Sequence, residues 1–551
     1  MILILPWYSW LAAVVALLFS TRLLLTLQSI KALHLSQAQG RSPPVFPYWV
    51  PFVGHAVPFI QNPGAFIDGL QRRYHDKHPV SLVLGPVRGY FVSGCDAINT
   101  LLRSPRNLSP KPFIALAMEN MFGTPASAMP MYRNDDSGIA PTPLPNTHVA
   151  AEHRIYYHQH KSAHRFLTGD ALRRMTERFM RTLSAHIHAD TAITATDADW
   201  VHLPDLYTFA RTRVFTAAIH ALFGPYLSLL TPGFEQDFWA YVDAVPALAM
   251  GLPRWATPRA YAARDRVFTA VKTWHRFARA HSDYRHNTPA DPDWDPYWGS
   301  SWLKVRQQFG QETGCMDEDA LAAEDVALLV AANANAIISA TWVLLHIVSN
   351  RDLYHRLQPE FDRAMTRSDS DPSGPAQCDV TVLTSSPLLQ SVYAEVLRLR
   401  VALLLNRTPT QGAAQLGPWK LERGRFIVMS TQHAARNEAA WAAHTQDGKH
   451  PVDEFWAERF LDKDGQFSVD GLGGGAWIPY GGGAFMCPGR HFAKQEMLGS
   501  VAVLLAHYEL ELEVPDGWIP PVNRRFYGVG AMPPAETVPF RIRRRERGMD
   551  R

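Results

Sequence analysis

One cysteine is set apart by its surroundings. In WIPYGGGAFMCPGRHFAKQEM (Trp477–Met497), the consecutive glycines Gly481, Gly482 and Gly483 precede Cys487. Pro488 and Gly489 follow, and the pattern turns helical near Arg490. Glycines allow a tight turn and a close approach of backbone to a flat ligand. A thiolate just ahead of a helix N-terminus is stabilised by the helix dipole and by free N–H groups. Such a thiolate is a good ligand for iron, and its electron donation favours O–O cleavage. The plainer alternative is a buried structural cysteine beside a glycine-rich turn. The other cysteines, Cys95, Cys315 and Cys378, are scattered without a C-x-x-C pair. A disulfide framework is therefore not expected, and a reducing compartment fits.

The elements that must position this loop are mostly helical. Apolar residues recur at spacings of three and four in Ala171–Ala189, Asp319–Asn350, Leu388–Arg400 and His491–Leu510, which predicts helices. Short β-prone runs, VSLVLG (Val80–Gly85) and GYFVSG (Gly89–Gly94), predict a minor sheet. Ser368–Gln377 reads as a flexible surface loop. Glu395 and Arg398 share one face of a predicted helix and can pair. The central helix carries Asn333, Ala334 and Asn335 within an apolar stretch; helix–helix hydrogen bonding is the ordinary use of such asparagines. Two further patterns are weak. His160 and His164 have the i, i+4 spacing of zinc helices, but no glutamate follows the first histidine. GLGGGA (Gly471–Ala476) meets a loose dinucleotide pattern without a surrounding βαβ unit.

The 551 residues are 47% hydrophobic and 19% charged, as in a globular protein with a large core, and the net charge is only +3. No basic stripe with interleaved aromatics points to nucleic acid. The basic run Arg541–Arg551 reads as a solvated end. Residues Met1–Thr21 lack charge and are about long enough to cross a bilayer, with Trp7, Tyr8 and Trp10 near one end. Arg22, Lys31 and Arg41 follow, which predicts a cytosolic main body. A cleaved signal peptide is the rival, but no basic n-region precedes the apolar run. With this orientation the N-x-S/T matches at Asn107 and Asn406 are chance. Six prolines between Arg41 and Ile67 forbid a continuous helix there and predict a stiff spacer.

The arrangement Y-G-x-G-x-x-x-C-x-G, with Tyr480, Gly483, Cys487 and Gly489, resembles the haem-binding signature of cytochromes P-450. The resemblance implies haem b with Cys487 as axial ligand to its iron, and Gly481, Gly483, Phe485 and Gly489 around the cofactor. Phe485 stands where the family usually has a basic residue that meets a haem propionate. Glu395 and Arg398 resemble the family's E-x-x-R element, and KHPVDEFWAERF (Lys449–Phe460) its F-x-P-E-R-F segment, so Arg459 would complete a scaffold network. Arg407 falls near a family arginine that meets a propionate, and Val401, Leu403 and Leu404 would face substrate. The family's W-x-x-x-R is absent from His153–Arg165; a histidine, Lys161 or Arg165 could substitute.

The usual acid–threonine pair of the oxygen side is replaced by Ala334–Asn335. That departure, with C-P-G-R at the cysteine, resembles the sterol 7α/12α-hydroxylase and prostacyclin synthase branch, and fungal natural-product members are similar. The implied fold is mainly α with a minor β-sheet, the cytochrome P-450 fold behind an N-terminal transmembrane helix. The implied division is residues 1–30 as anchor, 31–64 as proline-rich hinge and 65–551 as catalytic domain. The implied activity is monooxygenation of a lipophilic terpenoid, steroid or polyketide-like molecule. Electrons would come from NADPH through NADPH–cytochrome P-450 reductase at the endoplasmic reticulum membrane, the chain crossing once. The alternatives are a haem-thiolate isomerase or dehydratase that needs no reductase, and a non-catalytic haem sensor.

Overall fold

The computed structural model of the chain describes residues 7–34, 40–74, 76–190, 193, 200–285, 293–366, 374–446 and 448–545. The helices used below are α1 (Trp7–His34), α2 (Cys95–Leu102), α3 (Ile155–Phe166), α4 (Gly169–His188), α5 (Glu318–Val348), α6 (Pro387–Arg400) and α7 (Arg490–His507). The strands are β1 (Val80–Leu84), β2 (Val87–Val92), β3 (Val201–Leu203), β4 (Val401–Pro409), β5 (Phe426–Ser430), β6 (Tyr508–Leu512), β7 (Val529–Ala531) and β8 (Phe540–Arg544). The expected mainly helical architecture with a small sheet component is what the chain forms. It divides into two compact units that interleave in sequence.

The first unit comprises Met1–Phe113, Ala402–Val452 and Gly471–Met486. Its sheet runs β1-β2-β5-β4. β1 and β2 are antiparallel (Val80 opposite Phe91), β2 and β5 parallel (Gly89 opposite Phe426), β5 and β4 antiparallel (Ile427 opposite Arg407). Tyr90, Val92, Ile427 and Met429 bury one sheet face with Ile98, Leu101 and Leu102 of α2. The apolar helix α1 is exposed along most of Ser9–Leu33, although Ser29 is buried, and that stretch is long and apolar enough to cross a membrane. The proline-rich segment is broken into short pieces and lies back along α1. Arg22 Nη1 donates to the Pro47 carbonyl at 2.9 Å, its guanidinium covers Trp49 at 4.6 Å, and Phe19 meets Trp49 edge-on at 5.3 Å.

The second unit comprises Ile114–Val401, Asp453–Asp470 and Cys487–Arg551. Its centre is α5, which starts where Asp317 accepts from the Ala320 N–H at 2.8 Å and where Glu318 and Asp319 favour the positive helix end. Although α5 is as apolar as a membrane span, it is mostly buried within the unit, so its hydrophobicity serves the core. It packs against α6 and α7, and α7 packs against α4. α6 starts at Pro387, pre-set for a first helical position, with Ser386 accepting from Leu389 N–H at 3.2 Å.

Two expectations at the C-terminal end are corrected. The predicted helix through Leu510 stops at His507, and Tyr508–Leu512 is strand β6. The basic end is not simply solvated: Arg541–Arg544 belong to β8, paired antiparallel with β6, and β3 lies on its other edge. Arg543 Nη2 meets Glu509 at 2.6 Å, and Arg541 meets Glu511, so cross-strand charge fixes this register. Residues 546–551 lie outside the described residues. So do 368–373 of the predicted surface loop, whose Gln377 pairs with Thr366 in a two-residue ladder.

Candidate functional site

In the first unit two of the glycines before the cysteine are required by a close approach of protein. A Cβ on Gly483 would lie 2.1 Å from the Leu102 carbonyl oxygen, and one on Gly482 would lie 2.8 Å from Leu102 Cδ1. Gly483 also holds φ at 69°, where a side chain is strained. Gly481 shares the positive φ but has room beside Leu405. The loop therefore lies pressed on the end of α2. Gly474 and Gly475 of the dinucleotide-like run do the same: a Cβ at Gly475 would meet the Cys95 carbonyl oxygen at 2.1 Å. In sequence no strand leads into that run and no helix follows directly from it, so it has no phosphate-binding setting.

Arg407, on β4, is buried. Its Nη2 donates to the Gly482 carbonyl at 3.1 Å and its Nη1 to the Asn406 carbonyl at 2.8 Å, and the guanidinium lies 5.6 Å from the Phe485 ring centre. Among the described residues no carboxylate pairs with it, and burial pulls its pKa down to about 10. A buried guanidinium without an anion is costly and would be relieved by a carboxylate from outside the chain. Leu403 and Leu404 of the same strand are half-buried, whereas Val401 is buried.

In the second unit Cys487 is half-buried immediately before α7, and Arg490 Nη1 donates to its carbonyl at 3.2 Å. Burial pushes the thiol above the usual cysteine range. The backbone N–H groups of Gly489 and Arg490 and the Arg490 charge pull the other way without prevailing. The helix end alone therefore does not generate the thiolate expected above. A coordinated metal cation would, since it removes the thiol proton outright.

Glu395, Arg398 and Arg459 are fully buried together. Arg398 reaches one carboxylate oxygen through Nε at 2.6 Å and the other through Nη2 at 2.8 Å. That second oxygen also accepts from Arg459 Nε at 2.9 Å and from the Trp456 N–H at 3.1 Å. Both guanidinium groups donate onward to the Glu454 carbonyl, at 3.3 and 2.9 Å. One carboxylate thus holds two cations, and the Glu454 carbonyl takes a further donor from each, which makes the burial tolerable. Ser391 adds a tie that sequence reasoning missed, accepting from the Phe460 N–H at 3.0 Å.

On α5 the expected polar position is present but already engaged. Ala331 and Asn335, one turn apart, are exposed, while Asn333 and Ala334 between them are buried. Asn335 Oδ1 accepts from the Ala531 N–H of β7 at 2.8 Å. Asn333 bonds its own helix, donating to the Leu329 carbonyl at 2.8 Å, and does not bridge to another helix. His153, just ahead of α3, and His158, on it, are turned to backbone carbonyls (Thr313 and Ala151, both at 3.1 Å), while Lys161 and Arg165 are exposed. His160 and His164 meet edge-to-face with ring centres 4.3 Å apart, and among the described residues no group of three or more metal-ligating side chains is assembled.

Each unit holds a group that suits an iron porphyrin: the second a thiol at a helix head, the first a buried guanidinium with no carboxylate partner among the described residues, which a propionate would supply. Comparison with known proteins agrees. The cytochrome P450 family model matches residues 233–538. Cytochrome P450 monooxygenase fsoE of Humicola fuscoatra is 34% identical over 94% of this chain and 91% of its own. Cytochrome P450 monooxygenase efuG of Hormonema carpetanum is 34% identical over 96% and 95%. The human 7-alpha-hydroxycholest-4-en-3-one 12-alpha-hydroxylase is more distant, 24% identical over 92% and 94%. The chain belongs to the cytochrome P450 family. It is a haem-dependent monooxygenase that resembles the sterol-hydroxylase branch, and the sensor reading falls away.

Proposed function

We propose that the chain inserts one oxygen atom of O2 into a C–H bond of a terpenoid, steroid or polyketide-like substrate in secondary metabolism. The other atom leaves as water, with two electrons from NADPH through NADPH–cytochrome P-450 reductase and two protons from solvent. The observation that carries this reading is Cys487, half-buried at the head of α7 with backbone N–H groups around it. Bound haem supplies the reductive activation of dioxygen. Cys487 would be the axial ligand. Arg407 would hold a propionate, beside Gly481, Gly483, Phe485 and Gly489. The Glu395–Arg398–Arg459 network would fix the backbone that carries the cysteine, without chemistry of its own. Asn335, next to Ala334, would be the polar group beside bound dioxygen, and Val401, Leu403 and Leu404 would meet the substrate. α1 would anchor the chain once in the endoplasmic reticulum membrane, with residues 31–64 as hinge and 65–551 as the cytosolic catalytic domain.

Reconstitution with the reductase under labelled dioxygen tests the reading: the product should gain one labelled oxygen, and only when NADPH is present. The Asn335–Ala531 contact favours one second reading. An amide without a neighbouring acid is a poor proton relay, and rearrangement of an already oxygenated substrate needs no relay. Turnover of such a substrate without NADPH would select that chemistry.

A further inference from the structure

Asn335 has a specific companion in Gly530. A backbone N–H can only donate, so the bond from Ala531 fixes which way the Asn335 amide faces: oxygen toward β7, Nδ2 and its two hydrogens away from it. Gly530 precedes that donor with φ at 147°. A Cβ there would stand 2.0 Å from Asn335 Oδ1, 2.9 Å from its Cγ and 3.2 Å from its Nδ2. Asn335 as observed and any side chain at 530 are therefore mutually exclusive. The segment around Gly530 is held independently of Asn335. Trp342 Nε1 donates to the Met532 carbonyl at 2.8 Å, and the Met532 N–H donates to the Arg400 carbonyl at 2.9 Å. The Arg400 guanidinium in turn lies 4.1 Å over the Trp342 ring. Between a clamped strand and the free end of a flexible side chain, the side chain gives way.

We propose that Gly530 is a positioning residue: the absence of a side chain there holds Asn335 in the orientation that presents N–H donors to bound dioxygen. The proposal rests on the reading of Asn335 as the polar contact beside dioxygen. With its oxygen committed to Ala531, Asn335 acts as a donor only, and protons reach the site through water.

The test uses the full chain loaded with haem, comparing wild type, Asn335→Ala, Gly530→Ala and the double variant. The first readout is the C–O stretching frequency of the ferrous carbon monoxide complex. The second is hydrogen exchange at the Ala531 amide. Loss of an N–H donor should raise the stretching frequency in Asn335→Ala. Gly530→Ala should reproduce that shift, and the double variant should add nothing, as coupled positions do. Exchange at Ala531 should quicken roughly three- to tenfold in both single variants, as expected for one lost hydrogen bond. If Asn335→Ala shifts the frequency and Gly530→Ala does not, the positioning role is wrong and the dioxygen contact stands. If Asn335→Ala leaves the frequency unmoved, the dioxygen contact itself is wrong, and the proposal falls with it. Should Gly530→Ala fail to retain haem, the double variant, in which the colliding amide is gone, must regain it; failure to regain it overturns the proposal.

Discussion

The network at Glu395 and the strip at Asn335 lie in the same helical unit and are built on opposite terms. At Glu395 the carboxylate and both guanidinium groups are buried, and one carboxylate joins the two guanidinium groups and a backbone N–H at 2.6–3.1 Å. At Asn335 a single neutral hydrogen bond holds an exposed amide against a strand from elsewhere in the chain. Removing one member of a buried ionic cluster strands the others, whereas a neutral surface-facing bond is worth little net. The first region can only be kept or lost. The second can be retuned without unfolding, as suits the part of an oxygenase that differs between reactions.

The largest effect should come from Glu395→Gln. It leaves two buried cations without an anion and should cost about 3–5 kcal/mol of stability. Little haem-loaded protein should be recovered, read as ferrous carbon monoxide absorbance per milligram. Recovery at wild-type level would erase the contrast between the regions.

Arg407→Leu is expected next. Loss of a charged hydrogen-bonding group worth about 1.5–3 kcal/mol should speed haem loss to an acceptor protein by roughly 10- to 100-fold, while the apoprotein stays folded.

Glu496, on α7, sharpens the comparison among buried acids. It is as buried as Glu395, but among the described residues neither of its oxygens has a partner, and burial pushes its pKa up to about 8. Between the ordinary glutamate value of 4.5 and about 8, the folded state holds a proton that the unfolded state has released. Stability therefore falls as pH rises through that window and levels off above it. Glu496→Leu should flatten the melting-temperature profile between those values and stabilise the protein at pH 8 by on the order of a few kcal/mol.

The smallest effect belongs to the surface. Arg543→Gln breaks a cross-strand pair with Glu509 whose partners are both over a third exposed, and should cost under about 1 kcal/mol, a shift of a few degrees at most in thermal melting.

What the sequence made legible follows the same division. The Glu395–Arg398 pair shows itself through a local spacing on one helix face, and Arg459 lies in a segment whose residue types match. Cys487 is marked by neighbours one to six residues away. The partner of Asn335 has no such mark: it is a backbone N–H 196 residues further on, and its only trace is Gly530, one glycine among many. Glycine carries more than one message in the loop before the cysteine. Gly482 and Gly483 announce a close approach, but not that Leu102 is a surface approached. At the C-terminal end, a run of arginines reads as solvated because the glutamates that pair with them sit about thirty residues earlier, on a strand that continues the apolar pattern of α7.

The most direct test of the central claim is the ferrous carbon monoxide spectrum of the haem-loaded chain, with and without Cys487→Ala. Wild type should give the red-shifted band of thiolate-bound haem, and the alanine variant should lose it completely. A variant that kept the band would mean that the iron is bound elsewhere and that the sulfur at position 487 is not its ligand.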